Sequence, residues 1–251
     1  MSGAAFFCLD RCVISGSSIQ HFGRAILKWG AYKRADLVKG VVRDAGRAGH
    51  DPDGEAIRRH LLAAVDGCSA EQIDLLIPEA LGAILAEVRE DMYMRILEHE
   101  ADGIPTYLCS PSPVQLVEVV ADVLNMSGGV LATSLATDES GRFTGELSGP
   151  FTYAGGVAES IAHEAAHNAI DLSKSWGYGH APSDIPLLES VGNPVVVNPD
   201  GQMITQAAAK GWDTIDVREA SSTRKKIVTA GVASGAAVAA AAAIAWALRR
   251  R

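Results

Sequence analysis

This 251-residue chain lacks a positive charge balance: its formal net charge is −8 and its sequence pI is near 5.3. That balance argues against a nucleic-acid-binding surface, so no nucleic-acid partner is expected. The C-terminal tail lacks the opposite sign. From Arg224 onward there is no acid, and Arg224, Lys225, Lys226, Arg249, Arg250 and Arg251 carry +6, which leaves −14 for residues 1–223. Charge of either sign is absent from Ile227 to Leu248, 22 residues that span about 33 Å as a helix, enough to cross a bilayer. We read 218–226 as a basic linker and 227–248 as a transmembrane anchor. The other reading is an Ala-rich buried or amphipathic helix, because Ala inserts far less eagerly than Leu. No signal sequence opens the chain, so the expectation is a single-pass protein of the cell membrane with its folded domain in the cytoplasm. Gly231, Gly235, Ala239 and Ala243 stand at four-residue spacing, which would let two anchors pack as a homodimer, although an Ala-rich segment supplies that spacing by chance.

Cysteine is scarce. The four present, in a cytoplasmic domain, are expected as thiols rather than a disulfide framework. Internal repeats and low-complexity tracts are missing outside the tail. With 48% hydrophobic and 21% charged residues, the chain can bury a full core. Ala4 to Cys8 reads as a buried strand, Thr106 to Cys109 as a second, Val114 to Leu124 as a helix, and Val130 to Leu135 as a strand followed by a hairpin-like excursion around Gly141. Val157 to Asp171 reads as a helix, Trp176 to Gly179 as a strand, Pro186 to Glu189 as a helix start, and Pro194 to Val197 as a final strand. Between His21 and His99 apolar residues recur at helical spacing, as in Ile73-Leu76-Ile77-Leu81-Ile84-Leu85-Val88. The expected fold is α/β: a mostly parallel Rossmann-like sheet with helices on both faces (1–20 and 101–217), and an inserted all-helical cap (21–100).

Four stations along the chain carry chemistry. Cys8-Leu-Asp10-Arg-Cys12-Val follows the first strand, and this segment closely resembles the first motif of the haloacid dehalogenase superfamily, in its phosphoserine-phosphatase-like branch: Asp-x-Asp-x-Thr-Val/Leu. Tyr107-Leu-Cys-Ser110-Pro-Ser-Pro resembles the second motif, Gly155-Gly-Val157-Ala-Glu-Ser-Ile the third (Gly-x-Lys-Ala-x-x-Ile), and Gly177-Tyr-Gly-His180-Ala-Pro-Ser-Asp184-Ile-Pro-Leu-Leu the fourth (Gly/Ser-Asp-x-x-x-Asp-Leu-Pro-Met-Leu). The resemblance covers about residues 4–217 and implies the fold just described. It also implies roles. Cys8 stands where the nucleophilic, magnesium-binding Asp belongs, Asp10 where the general acid/base belongs, and Ser110 where a hydroxyl donates to the phosphoryl group. Val157 replaces the Lys, and His180 replaces the first Asp of the fourth motif while Asp184 keeps the second.

Phosphoryl transfer through an aspartyl-phosphate needs a carboxylate nucleophile, a cation on the phosphate oxygens and oxygen ligands for the metal. The nucleophilic Asp, the Lys and one metal-binding Asp are gone. Losing one preorganised stabiliser typically costs about 10²-fold or more. The leading expectation is a pseudophosphatase that binds a small phosphorylated ligand or a protein partner at the membrane, with no metal or weakly held magnesium at Cys8, Asp10, His180 and Asp184. Two others stand beside it. Cys8, His180 and Asp184 are donor types that zinc takes. Alternatively hydrolysis persists, with Cys8 as a thiolate nucleophile, which would need a cationic neighbour.

His163-Glu-Ala-Ala-His167 matches the zinc-protease pattern, with Glu189 downstream as a third ligand. Its His residues share one polar face with Glu159, Ser160, Asn168 and Asp171, while Val157, Ile161, Ala165 and Ala169 form the buried side, so a solvated helix is expected instead. Arg24, Lys28, Lys33, Arg34 and Lys39 read as a helix's wet side, Cys68 as a small core residue, Trp29, Tyr32, Met92 and Tyr93 as core or cap-seam residues, and Asn198 and Asp200 as turn residues at the pocket rim.

Overall fold

The computed structural model describes residues 2–28 and 54–217. Strand β1, Ala5–Cys8, is buried along its whole length. Apolar side chains on both faces are what a central strand of a parallel sheet requires. Its neighbours are β2 (Thr106–Pro113) on one side and β6 (Trp176–Gly179) on the other, with β3 (Gly129–Thr133) beyond β2, and β7 (Asn193–Val197) and β8 (Asp213–Ile215) beyond β6. All five pairings are parallel. The strand order reverses direction at β1, so the loops leaving β1, β2 and β6 diverge at its carboxyl end and leave a crevice there. A separate antiparallel hairpin, β4 (Leu135–Thr137) with β5 (Phe143–Leu147), stands apart from the sheet.

Helices α1 (Ser18–Lys28), α2 (Glu55–Val65), α3 (Ala70–Asp74) and α4 (Ile77–Leu85) follow β1. In α4, Ile77, Ala80 and Ile84 are buried at spacings of three and four, the stripe expected of a helix with one covered side. This block leaves and rejoins the sheet at one place. Ser15 N donates to Glu87 O at 3.0 Å, Arg89 N donates to Val13 O at 2.9 Å, and Ile14 bridges to Val88. Ends that lie side by side make an insertion tolerable to the core that receives it.

From there α5 (Glu90–Ala101) leads into β2, α6 (Val114–Val123) into β3, α7 (Gly155–His167) into β6, α8 (Ile185–Glu189) into β7 and α9 (Gly201–Lys210) into β8. Alternation along β1 sends its two phenylalanines to opposite faces. Phe6 stacks on Tyr107 with ring centroids 5.1 Å apart, and Phe7 on Tyr178 at 4.4 Å. On the Phe7 side, His99 of α5 shares a 2.9 Å hydrogen bond with the Tyr178 hydroxyl and lies 5.0 Å from the Trp176 ring, fastening helix to sheet. Burial lowers the His99 pKa and pushes that of Tyr178 up to about 12.

The mostly parallel α/β architecture is as expected, and four boundaries are corrected. Val197 does not end the sheet: α9 and the three-residue edge strand β8 follow it. Strand β2 runs on to Pro113, its edge-like proline stretch pairing with Thr133 of β3. Helix α7 starts at Gly155 and ends at His167, so Ala169 lies past its end and is exposed rather than buried. Cys68 is only half-buried, packed against the core's margin. Met92 is fully buried and Tyr93 packs against the core. Among the described residues no helix is long and apolar enough to cross a membrane. The expected linker and anchor, together with Trp29, Tyr32, Lys33, Arg34 and Lys39, lie outside them.

Candidate functional site

Cys8 ends β1 directly beside Cys109 of β2, at the mouth of the crevice. After it the chain turns sharply through Leu9–Val13, with Arg11 in the left-handed region at φ +59° and its amide donating to Gly16 O at 2.9 Å. The turn aims Asp10 sideways. Its carboxylate accepts from the Ser18 backbone amide, from Ser18 Oγ at 2.9 and 3.0 Å, and from Ser110 Oγ at 3.2 Å. Ser18 Oγ also touches Ser112 Oγ at 2.8 Å. Asp10 therefore ties the start of α1 to β2. Burial raises its pKa, and the serine hydrogen bonds oppose that rise.

Asp184 arrives from the other side, on a short 3₁₀ turn, Pro182–Asp184, after β6. Its approach depends on Gly179, where a Cβ would stand 2.7 Å from the Asp184 Cβ. Oδ2 accepts from the amides of His180 and Ala181 at 2.7 and 3.0 Å, and Oδ1 accepts from Cys8 Sγ at 3.4 Å. The same thiol is 3.6 Å from the carbonyl oxygen of Asp10. Burial pushes the Cys8 pKa well up, and the Asp184 carboxylate adds to it; Cys12 and Cys109 are raised by the same two causes. Cys8 is thus a protonated donor, and among the described residues no cation lowers its pKa as a thiolate nucleophile requires.

Val157, in the first turn of α7, completes the enclosure. Cys8, Ser110, Thr152, Tyr153, Val157 and Asp184 line a cavity of about 20 Å³, room for roughly one water. Neither Asp10 nor His180 lines it. The His180 ring turns toward β7, where Nδ1 bonds Val197 O at 2.8 Å. Of the six residues singled out in the sequence, Cys8, Ser110, Val157 and Asp184 converge on the cavity, and Asp10 and His180 flank it. Thr152 and Tyr153 also line it and gave no signal in the sequence. Ser18 and Ser112, which enclose Asp10, were legible only as neighbours of the motifs.

Two other candidates resolve as structural. His163 and His167 are exposed on α7, Glu189 pairs with Lys210 at 2.5 Å, and among the described residues no three His, Cys, Asp or Glu side chains form a metal-binding group. Asp200 caps α9 through Met203 N at 2.9 Å, and Asn198 bonds both backbone groups of Val217.

A buried strand end, a helical insertion and four motif loops gathered around one crevice define a protein of the haloacid dehalogenase type. The family model for haloacid dehalogenase-like hydrolases matches residues 5–189, and the chain belongs to that family. It is 31% identical to the "Inhibition of morphological differentiation protein" of Streptomyces azureus, over 99% of this chain and 94% of that one. It is 29% identical to phosphoserine phosphatase SerB1 of Mycobacterium tuberculosis, over 98% and 80%. A solved substrate-bound phosphoserine phosphatase shares the fold with a TM-score of 0.61, at 16% identity, over 86% of this chain and 93% of that one.

Phosphatases of this family use magnesium, a hard cation that prefers oxygen donors in near-ideal octahedral geometry. The residues here do not fit it. A protonated thiol fills the place between the Asp10 carbonyl and Asp184 Oδ1, Oδ2 of Asp184 is spent on two amides, and serine hydroxyls enclose the Asp10 carboxylate. Zinc fares no better, because the His180 ring faces away from Cys8 and Asp184.

Proposed function

We propose that this chain is a pseudophosphatase: a phosphatase fold whose pocket binds a ligand or partner without hydrolysing a phosphomonoester, held at the membrane by residues 227–248. The observation that carries this is the Cys8 thiol, which donates to Asp184 where a phosphatase of this family would place an attacking carboxylate and its metal. Val157 puts no positive charge where the family places its Lys, no described residue lining the cavity is a cation, and Asp10 is occupied by serine hydrogen bonds. Each of these removes a separate requirement of phosphoryl transfer, so a single local adjustment cannot restore it. A regulatory role is supported by the Streptomyces relative, whose name records inhibition of morphological differentiation.

Hydrolysis at an altered site is the second reading, favoured by the phosphatase name of the M. tuberculosis relative. One experiment separates the two. The purified full-length chain is assayed with magnesium against a panel of phosphomonoesters. No turnover is expected, whereas robust turnover abolished by Asp10→Asn would overturn the pseudophosphatase. The triple variant Cys8→Asp, Val157→Lys, His180→Asp should gain measurable hydrolysis. Membrane attachment is tested by fractionating cells that express the full chain or a form lacking residues 224–251; a soluble full-length chain would remove the anchor.

A further inference from the structure

We propose that the cavity beside Cys8 accepts a small ammonium group rather than a phosphate, an inference that rests on the non-hydrolytic pocket argued above. The first ground is charge. Of the ten residues that line the cavity, Asp184 is the only charged one and none is a cation. A phosphate dianion would meet the half-buried Asp184 carboxylate, and no cation among the described lining residues offsets the repulsion.

The second ground is the direction of the hydrogen bonds. An anion needs donors, and apart from the Thr152 hydroxyl, which can donate as well as accept, those of Cys8, Ser110, Gly156 and Val157 are spent. The Cys8 thiol points at Asp184, and the Ser110 hydroxyl donates to Asp10 Oδ2 at 3.2 Å. At the start of α7, the Gly156 amide donates to Tyr153 O at 3.0 Å and the Val157 amide to Ala154 O at 3.1 Å, so neither is turned toward a ligand. Acceptors remain. A carboxylate offers about four lone-pair positions, of which the Cys8, His180 and Ala181 donors occupy three. Thr152 is 1% exposed and its Oγ1 has no hydrogen-bond partner. A buried hydroxyl left in that condition destabilises the fold until something bonds it.

Size is the third ground. About 20 Å³ admits a group the size of a water molecule, and an ammonium ion is of that size. Its N–H donors would meet Asp184 Oδ1 and Thr152 Oγ1. Val157, Leu187 and Pro111 complete an apolar wall behind it. Water fits the same space, but only a cation also answers the uncompensated carboxylate.

The test is the thermal melting of the purified full-length chain in ammonium chloride, sodium chloride or sodium phosphate at matched ionic strength, since a ligand that binds the folded state raises the melting temperature saturably. Ammonium should do so beyond sodium, and phosphate should not. Thr152→Val should weaken the ammonium effect about tenfold. Val157→Lys should abolish it and admit phosphate instead. Ammonium behaving like sodium, an effect untouched by Thr152→Val, or stabilisation of the unaltered chain by phosphate would each overturn the proposal. The phosphomonoester assay on the same sample separates two failures. No ammonium effect together with no turnover removes this inference alone, whereas phosphate binding together with turnover removes the pseudophosphatase as well.

Discussion

The sulfur of Cys8 lies 3.4 Å from Oδ1 of Asp184, across the gap where a parallel sheet changes direction. A thiol that donates to a carboxylate inside a buried pocket is held in its protonated form, because ionising it would set two anions side by side. Cys12 and Cys109 are buried and raised in the same way, while Cys68 is half-exposed on the cap. Brief alkylation of the native protein at mildly alkaline pH should therefore label Cys68 alone. Mass spectrometry of the digested product reads the outcome, and rapid labelling of Cys8 would show a thiolate that this geometry forbids.

Cys8→Asp restores the residue type of the active family and should destabilise the fold by about 1–3 kcal/mol, the cost of an uncompensated buried polar or charged group. The introduced carboxyl faces Asp184 and has a raised pKa in the folded state. Its stabilising contribution is present below the ordinary carboxylate range and is lost as pH rises, so the loss of melting temperature should be larger at neutral than at acidic pH. Adding Val157→Lys should recover about 1 kcal/mol or more through coupling between neighbours. Urea unfolding of the two single variants and the double variant measures that term.

The sheet and the position of the crevice were legible because buried strands announce themselves: Ala5-Phe-Phe-Cys8 and Thr106-Tyr-Leu-Cys109 are apolar on both faces, and a polar loop follows each. Strand β8 was not, because a three-residue edge strand with Asp213 and Thr214 exposed has no hydrophobic pattern to read. That Cys8, Ser110, Val157 and Asp184 share the cavity was legible from the family resemblance of their motifs. Where each side chain points was not: Asp10 sits in a motif yet is drawn to Ser18 by hydrogen bonding, and His180 is drawn to the Val197 carbonyl. Thr152 escaped notice because a lone Thr in Phe-Thr-Tyr looks the same whether its hydroxyl is bonded or orphaned.

Tyr107 and Tyr178 flank β1 on opposite faces, and burial pushes both pKa values up to about 12. Folded-state values above the ordinary one mean that their contribution to stability is complete below about pH 10 and is lost as pH rises through about 12. Ultraviolet titration should find Tyr107 and Tyr178 ionising late, together with or after loss of the fold. Phe7→Leu, which loosens the stack on Tyr178, should bring one of the two down.

Asp10 acts on stability, whatever its role in chemistry. Asp10→Ala leaves the Ser18 amide and two serine hydroxyls without an acceptor and should cost about 1–3 kcal/mol. Burial raises the Asp10 pKa, so its contribution is fully present below the ordinary carboxylate value and declines as pH rises through the folded one. Asp10→Asn, similar in shape and neutral, should flatten that decline. Denaturant midpoints across mildly acidic and neutral pH give the comparison, and an unchanged slope would mean that Asp10 does not titrate there.

Ala154 lines the cavity with φ +48° and ψ −121°, a conformation that suits glycine and strains any residue with a Cβ. It is held by the turn into α7, in which the Gly156 amide bonds Tyr153 O. Such strain is of order 1–3 kcal/mol. Part of the gain from Ala154→Gly is offset by the greater freedom of glycine in the unfolded chain, about 0.5–1 kcal/mol. The net of about 1 kcal/mol should raise Tm by roughly 2–4 °C in a chain of this size. Gly156→Ala in the same turn should do the reverse, because its Cβ would fall 1.9 Å from Phe151 O and backbone must move to admit it. Calorimetry of the two variants decides the matter: opposite shifts locate the strain in this turn, and a fall in Tm for Ala154→Gly would show that the Cβ of Ala154 contributes more through packing at the cavity than it costs in the backbone.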